Sequence, residues 1–317
     1  MPGAEPDVTT AACRRMLPGM PSDPSTPLPF VDDGDPYIPD AGSTRLSGLA
    51  LGIDVGGTGV KAALVDLATA ELVSPRVREK TPQPSTPDAV ALTIRSVIDK
   101  VLDGRDVPAD LPVGCGLPGV VKNGRLMTAA NIDAGWVDWP AEERIGEAIG
   151  RRTWIINDAD AAGLAEVAYG SGRDRPGTVL LLTIGTGIGS ALFLDGRLVP
   201  NTEFGHLEMR GKGAETLVSG AARERRKLGW KRWATEFNDY IARVELYFSP
   251  DLLIYGGGVS KEWSKWSKWS HTSAPVVLAK FLNTSGIIGA AYAAAAAQHA
   301  ERQAAAGHTP DGESRGA

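Results

Sequence analysis

An apolar strand that runs into a glycine turn and straight out again as a second strand occurs twice in this chain. Residues 49–55 lead into Gly56-Gly57-Thr58-Gly59 and resume at 60–67. Residues 179–184 lead into Gly185-Thr186-Gly187-Ile188-Gly189 and resume at 190–194. Each copy opens a stretch that continues into helices, so the pattern is an internal duplication of an α/β half, not a solenoid. Two such halves with a cleft between them is the natural architecture. Backbone free of Cβ atoms can wrap a phosphate with consecutive N–H groups. Neither turn has the Gly-Lys-Ser/Thr ending of a Walker A loop, and a strand, not a helix, follows each, which excludes the dinucleotide fingerprint. One glycine hairpin is commonly just a tight turn. Two, each with a threonine hydroxyl and each in a duplicated half, favour phosphate binding.

The segments between the turns read as follows. Residues 71–80 alternate as a third strand, and Pro82, Pro84 and Pro87 mark a loop. Apolar residues at 90, 94, 97, 98, 101 and 102 give a helix over 88–102. A strand at 111–115 ends in Gly116-Leu117-Pro118-Gly119, a helix covers 139–150, and a strand at 154–156 meets Asn157-Asp158 before a helix over 159–169. In the second half, helices are expected at 214–228 and 231–248. A strand at 252–255 runs into Gly256-Gly257-Gly258, and an alanine-rich helix spans 290–300.

Composition sets the boundaries. Residues 1–46 hold seven acids, three bases and nine of the 22 prolines, too little apolar surface to offset ordering entropy. The division is therefore a disordered tail at 1–46, a small α/β domain at 47–157, a large one at 158–284, a C-terminal helix at 285–298 packing back on the small domain, and a second disordered tail at 299–317. The net charge of −5 argues against a nucleic-acid partner, and no apolar run reaches membrane-spanning length. Two cysteines are too few for a disulfide scaffold, so a reducing cytoplasm is expected.

Asp54-Val-Gly-Gly-Thr-Gly-Val-Lys61, Thr183-Ile-Gly-Thr-Gly-Ile-Gly189 and Gly256-Gly257-Gly258 together resemble the actin-like (ribonuclease H-like) sugar-kinase fold. Glu203-Phe-Gly-His206 resembles the sugar-site signature of the ROK family of kinases and repressors. Members of that family commonly carry a cysteine-rich zinc motif after this histidine. Here residues 207–215 contain no cysteine, and a structural zinc tetrahedron lacks its ligands. This zinc-free form, with Gly205-His-Leu-Glu208, Arg223-Glu-Arg-Arg226 and Phe248-Ser-Pro-Asp251, is similar to the polyphosphate glucokinases.

The resemblance implies transfer of a phosphoryl group from inorganic polyphosphate, or ATP, to the 6-hydroxyl of glucose by a homodimer. Such a transfer needs a base, phosphate donors and a metal. Asp158 is the implied base, opening a helix after a short strand; the plainer reading is that Asn157 or Asp158 only caps that helix. Asn131, Asn157, Glu203, His206, Glu215 and Gly119 are implied sugar contacts. Gly56, Gly57, Thr58, Gly59, Thr183, Gly185, Thr186, Gly187, Gly256, Gly257 and Gly258 are implied donor contacts. Asp54 is expected to orient Mg²⁺ through water. Lys61 reads equally as a phosphate contact or a solvated strand residue.

Two further segments stand out. Arg223, Arg225, Arg226, Lys227, Lys231 and Arg232 face one acid, Glu224, and form the densest positive stretch, a candidate track for a polyanion as well as an ordinary solvated face. Trp263, Trp266 and Trp269 repeat every third residue and predict a helix stripe buried in the fold or at an oligomer contact. Competing functions are an ATP-dependent ROK glucokinase or glucomannokinase, a sugar-responsive repressor and a non-catalytic sugar-binding module. A repressor needs an N-terminal helix-turn-helix, which the proline-rich acidic segment does not supply.

Overall fold

The computed structural model describes residue 41, residues 45–129 and residues 132–307. The expected N-terminal tail lies almost entirely outside the described residues.

The first half begins with the hairpin β1 (Leu49–Gly56) and β2 (Gly59–Asp66). The expected third strand at 71–80 is two pieces, β3 (Glu71–Leu72) and β4 (Val77–Glu79), both paired with β2. Pro75, which has no N–H to donate, interrupts it, and the Ser74 hydroxyl instead accepts the Leu64 N–H at 3.0 Å. Helix α1 (Pro87–Leu102) lays Val90, Ile94, Val97, Ile98 and Val101 on the sheet. Then come β5 (Val113–Leu117), the small hairpin β6 (Val121–Lys122) and β7 (Arg125–Leu126), helix α2 (Ala141–Ile149) and β8 (Trp154–Asn157). The sheet order is β3-β2-β1-β5-β8, with β1, β5 and β8 parallel.

Helix α3 (Asp158–Tyr169) leads into the second half. Its sheet is built from β9 (Thr178–Ile184), β10 (Ile188–Leu194), β11 (Arg197–Val199) and, after a short hairpin β12 (Glu208–Met209) and β13 (Lys212–Gly213), the later strands β14 (Leu252–Gly256) and β15 (Val276–Leu278). The order β11-β10-β9-β14-β15 repeats the first sheet: an antiparallel hairpin at one side, parallel strands at the other. This is the duplicated architecture of the actin-like fold.

The helix expected at 214–228 is broken into α4 (Glu215–Val218) and α5 (Gly220–Arg225). Ser219 is the break, with extended backbone, and its hydroxyl accepts the Ala222 N–H at 3.1 Å to cap α5. The break lets the start of α5 touch the second glycine turn, where the Ala221 N–H donates to the Gly185 carbonyl at 3.1 Å. Helix α6 (Trp230–Phe248) follows; α7 (Gly257–Ser260) opens within the third glycine run, and α8 (Trp263–Trp266) carries the start of the tryptophan repeat. That repeat is not one regular helix, because Ser267–Trp269 tightens to a 3-10 turn. Trp266 is wholly buried among Trp233, Phe237 and Tyr255, with Trp263 and Trp269 packed against the same core. The repeat is thus core behind the glycine turns.

The C-terminal helix α9 (Ser285–Gly307) begins at the expected boundary of 285 and runs past the expected end at 298. Residues 299–307, read as tail, are helical. Ala, Glu, Arg and Gln favour helix, and the segment is tied down by Arg152–Glu301 (2.6 Å) and Arg302–Asp110 (2.7 Å) ion pairs. Helix α9 crosses β1 and β5 so closely that a Cβ on Gly52 would overlap the Ile287 carbonyl oxygen, and one on Gly114 that of Ala290. Among the described residues no helix is long and apolar enough to cross a membrane.

Candidate active site

The three parallel strands β1, β5 and β8 end together. Asp54 stands beside Gly116, and Gly116 beside Ile156, so the next residues of β8, Asn157 and Asp158, emerge at the carboxyl edge of the sheet. In α/β folds ligands bind outside that edge. Asn157 takes the capping role: its Oδ1 accepts the N–H groups of Ala159 (2.9 Å) and Asp160 (3.0 Å), and its Nδ2 donates to the Gly119 carbonyl at 3.0 Å. The helix cap is thus Asn157, and Asp158 is the first residue of α3 at the same edge. Asp158 is half-buried. Burial first, then the charges of Asp54 and Glu203, push its pKa up to about 7. A carboxylate poised there is matched to taking a proton at neutral pH.

Across the first hairpin, Asp54 pairs with Lys61, Oδ2 to Nζ at 2.6 Å. Lys61 is thus ion-paired within the hairpin. The turn has only Gly57 and Thr58 between the paired Gly56 and Gly59, and the Arg78 guanidinium covers it, donating to the Thr58 carbonyl at 3.0 Å. Arg78 was not among the expected donor contacts; its signal was its place on the strand beside β2.

The second turn is one residue longer, Gly185-Thr186-Gly187 between paired Ile184 and Ile188, closed by Gly185 N–H to Gly187 carbonyl at 3.0 Å. Glu215 lies over it and its Oε2 accepts the Ile188 N–H at 3.1 Å. One oxygen of an expected sugar ligand thus braces the second glycine turn. Thr183 and Gly256 are in register on parallel β9 and β14. Gly257, at φ +78°, sits where a Cβ would come within 2.5 Å of the Ile184 oxygen, so only glycine brings the third run onto the second turn. Gly258 follows it in α7.

Glu203 and His206, expected at the sugar, lie in the loop after β11. Glu203 and His206 approach at 3.6 Å, Oε2 to Nε2, both partly open to solvent. Burial and the Glu215 charge raise the Glu203 pKa while His206 opposes them. Asn131 lies outside the described residues.

The basic stretch is partly engaged by neighbouring groups. Arg226 makes two bonds to Glu236, at 2.6 and 3.2 Å, and donates to the Leu217 carbonyl at 2.8 Å. Arg232 and Arg210 converge on the same carboxylate, which they hold below the usual range, Arg226 foremost. Arg225 donates to the Thr216 carbonyl, and Arg223 stacks over Trp230 at 3.7 Å. These contacts engage part of the stretch within the protein, while Arg225, Lys227, Lys231 and Arg232 remain exposed. The sequence could not show this because Glu236 is supplied by the following helix.

Two duplicated halves, each with a glycine turn, and a carboxyl at the edge of the first sheet fit the sugar-kinase class, and the chain belongs to the ROK family, whose model matches residues 50–228. It is 46% identical over 246 residues to the polyphosphate glucokinase of Mycobacterium tuberculosis, covering 77% of this chain and 91% of that protein. It is 41% identical over 258 residues to the polyphosphate glucokinase of Mycobacterium leprae, covering 81% of this chain and 78% of that one. The inorganic polyphosphate/ATP-glucomannokinase from Arthrobacter sp. strain KM superposes with a TM-score of 0.75 at 43% identity, over 81% of this chain and 100% of that chain. A ROK family glucokinase from Streptomyces griseus, solved with glucose and AMPPNP, gives 0.65 at 25% identity, over 78% and 99%.

Proposed function

We propose that this protein transfers the terminal phosphoryl group of inorganic polyphosphate to the 6-hydroxyl of glucose, giving glucose 6-phosphate, with ATP as a second donor. The observation that carries the reading is Asp158: a half-buried carboxyl at the carboxyl edge of the first sheet, relieved of capping by Asn157 and poised near neutral pH. It accepts the hydroxyl proton as the oxygen attacks phosphorus. Glu203, His206 and Glu215 supply acceptors and a donor for the hydroxyls at the far end of the sugar. Asn157 keeps the Gly119 loop against the base. The two glycine turns present N–H groups to the donor phosphates, with Arg78 and Lys61 adding positive charge beside the first.

Mg²⁺ fits this site in one way. Among the described residues no three His, Cys, Asp or Glu side chains group to hold a metal. Magnesium is normally held by one or two carboxylates together with substrate phosphates and water, not by an all-protein cage. Asp54, whose Oδ1 is not engaged by Lys61, is the carboxylate that would hold it. When bound, the ion offsets the charge of the phosphates. The setting we infer is cytoplasmic and homodimeric, and exposed Leu246 and Tyr247 on α6 offer apolar surface for the second copy.

The test is initial rates with glucose and Mg²⁺, comparing long-chain polyphosphate with ATP, in wild type and Asp158→Asn. The variant should keep its fold and glucose binding and lose about 10²–10⁴-fold in kcat. Near wild-type turnover in a folded variant overturns the reading.

A further inference from the structure

Two residues after the base, Asp160 is a buried carboxyl, 1% exposed, that the mechanism above does not use. Its Oδ2 accepts the Asn201 N–H at 2.7 Å, and its Oδ1 has no partner. Burying a polar oxygen unpaired is costly, so the one bond it does make has a claim to a purpose. The pKa of Asp160 is pushed up to about 8, by burial first and then by Asp158 and Glu203, so near neutral pH the group is largely the uncharged acid.

Asn201 follows β11 in the second half. It has φ +61°, a left-handed conformation that asparagine tolerates better than most residues. Its side-chain amide pairs with both backbone groups of one residue of the first half: Oδ1 accepts the Val121 N–H at 2.7 Å, and Nδ2 donates to the Val121 carbonyl at 2.9 Å. Val121 opens β6, two residues beyond Gly119. Because Asn157 holds Gly119 at 3.0 Å, the bonds close a ring: helix α3 to the Gly119 loop, the loop to Asn201, and Asn201 back to α3 through Asp160. Asp158 lies on that ring, between Asn157 and Asp160.

The same loop carries Glu203. On its far side the buried Ser190 hydroxyl donates to the Thr202 carbonyl at 2.8 Å and accepts the Phe204 N–H at 3.0 Å. Glu203 is therefore held between pinned neighbours. Ser190 anchors the loop only to its own half, whereas Asn201 joins it to the other.

We propose that Asn201, backed by Asp160, is a positioning residue that latches the two halves together beside the base and sets Glu203 against the sugar. The inference rests on the glucokinase reading for its substrate. Two net hydrogen bonds at ~1 kcal/mol each correspond to about a 30-fold effect. Asn201→Gly keeps the left-handed backbone and removes only the amide. It should raise KM for glucose by about 5–30-fold, change kcat by less than about 3-fold and leave KM for polyphosphate unchanged. Amide exchange in a peptide covering 118–126 should become faster. Asp160→Asn, which preserves an acceptor for the Asn201 N–H, should stay near wild type, while Asp160→Ala should resemble Asn201→Gly. Wild-type kinetic constants in Asn201→Gly, or a loss confined to kcat, overturn the latch. Should the wild-type protein not phosphorylate glucose, that result counts against the glucokinase reading alone. The latch is then decided by exchange, and unchanged exchange at 118–126 in Asn201→Gly overturns it.

Discussion

Replacing Asp158 by asparagine should make the protein more stable at alkaline pH while nearly abolishing turnover. A carboxyl whose folded pKa lies above its unfolded value binds its proton more tightly in the folded state. It therefore stabilises fully below the ordinary value of 3.8, and that contribution is lost as pH rises through about 7. At 1.36 kcal/mol per pH unit, the ceiling on the cost of holding Asp158 ionised is ~4 kcal/mol. The side chain is only half-buried, and cleft water relaxes around it, so about 1–2 kcal/mol should remain. The asparagine amide carries no charge at any pH and escapes this cost. At ~2–4 °C per kcal/mol for a chain of this size, the Tm of Asp158→Asn at pH 8.5 should exceed wild type by about 2–8 °C. At pH 5 the unfolded carboxyl is still ionised, so the gain should be smaller but present, and it should vanish only below the ordinary value of 3.8. Thermal melts at the two pH values read this directly. A variant less stable at pH 8.5, or a gain that does not depend on pH, would refute the claim that Asp158 is a strained base.

The same carboxyl should give kcat/KM an acid limb, falling about tenfold per pH unit below ~7 and level just above it; a flat profile from 5.5 to 8 would contradict this. Gly257→Ala should cost more than ~2 kcal/mol in chemical denaturation, because a Cβ at positive φ meets the Ile184 carbonyl; an unchanged midpoint would show that the turn yields. Arg226→Gln should lower stability by about 1–3 kcal/mol by removing two bonds to buried Glu236, and shift KM for polyphosphate and ATP alike. A selective rise for polyphosphate would restore the basic-track reading. Chelation of Mg²⁺ should abolish turnover with either donor, measured as glucose 6-phosphate formed, and added Mg²⁺ should restore it.

What the sequence discloses of this site is mainly its local geometry. Once a two-residue turn is placed at Gly57-Thr58, the pairing of Gly56 with Gly59 carries Asp54 opposite Lys61 by counting alone. The cap at Asn157 and the duplication are legible for the same reason: each is decided by a few adjacent residues. The break at Ser219 was hidden because helix periodicity continues through it, and the demand for it comes from Gly185, distant in sequence. Asp160 and Asn201 were hidden more deeply. They lie 41 residues apart, and their bond exists only after both halves have been built. The basic stretch shows the converse limit, since a run of charges displays its own residues but not Glu236, the acid that pairs with Arg226.

The crossing of α9 over β1 and β5 has a consequence for synthesis. Gly52 and Gly114 are covered by Ile287 and Ala290, so the earliest strands to leave the ribosome wait for almost the last helix. At ~5–20 residues per second, that interval is about 10–40 s. Throughout it the nascent first sheet exposes the apolar face that α9 will occupy, while the second half has time to emerge complete. Slow codons after β5 would lengthen the exposure, and a chaperone holding the nascent chain would find its apolar target there.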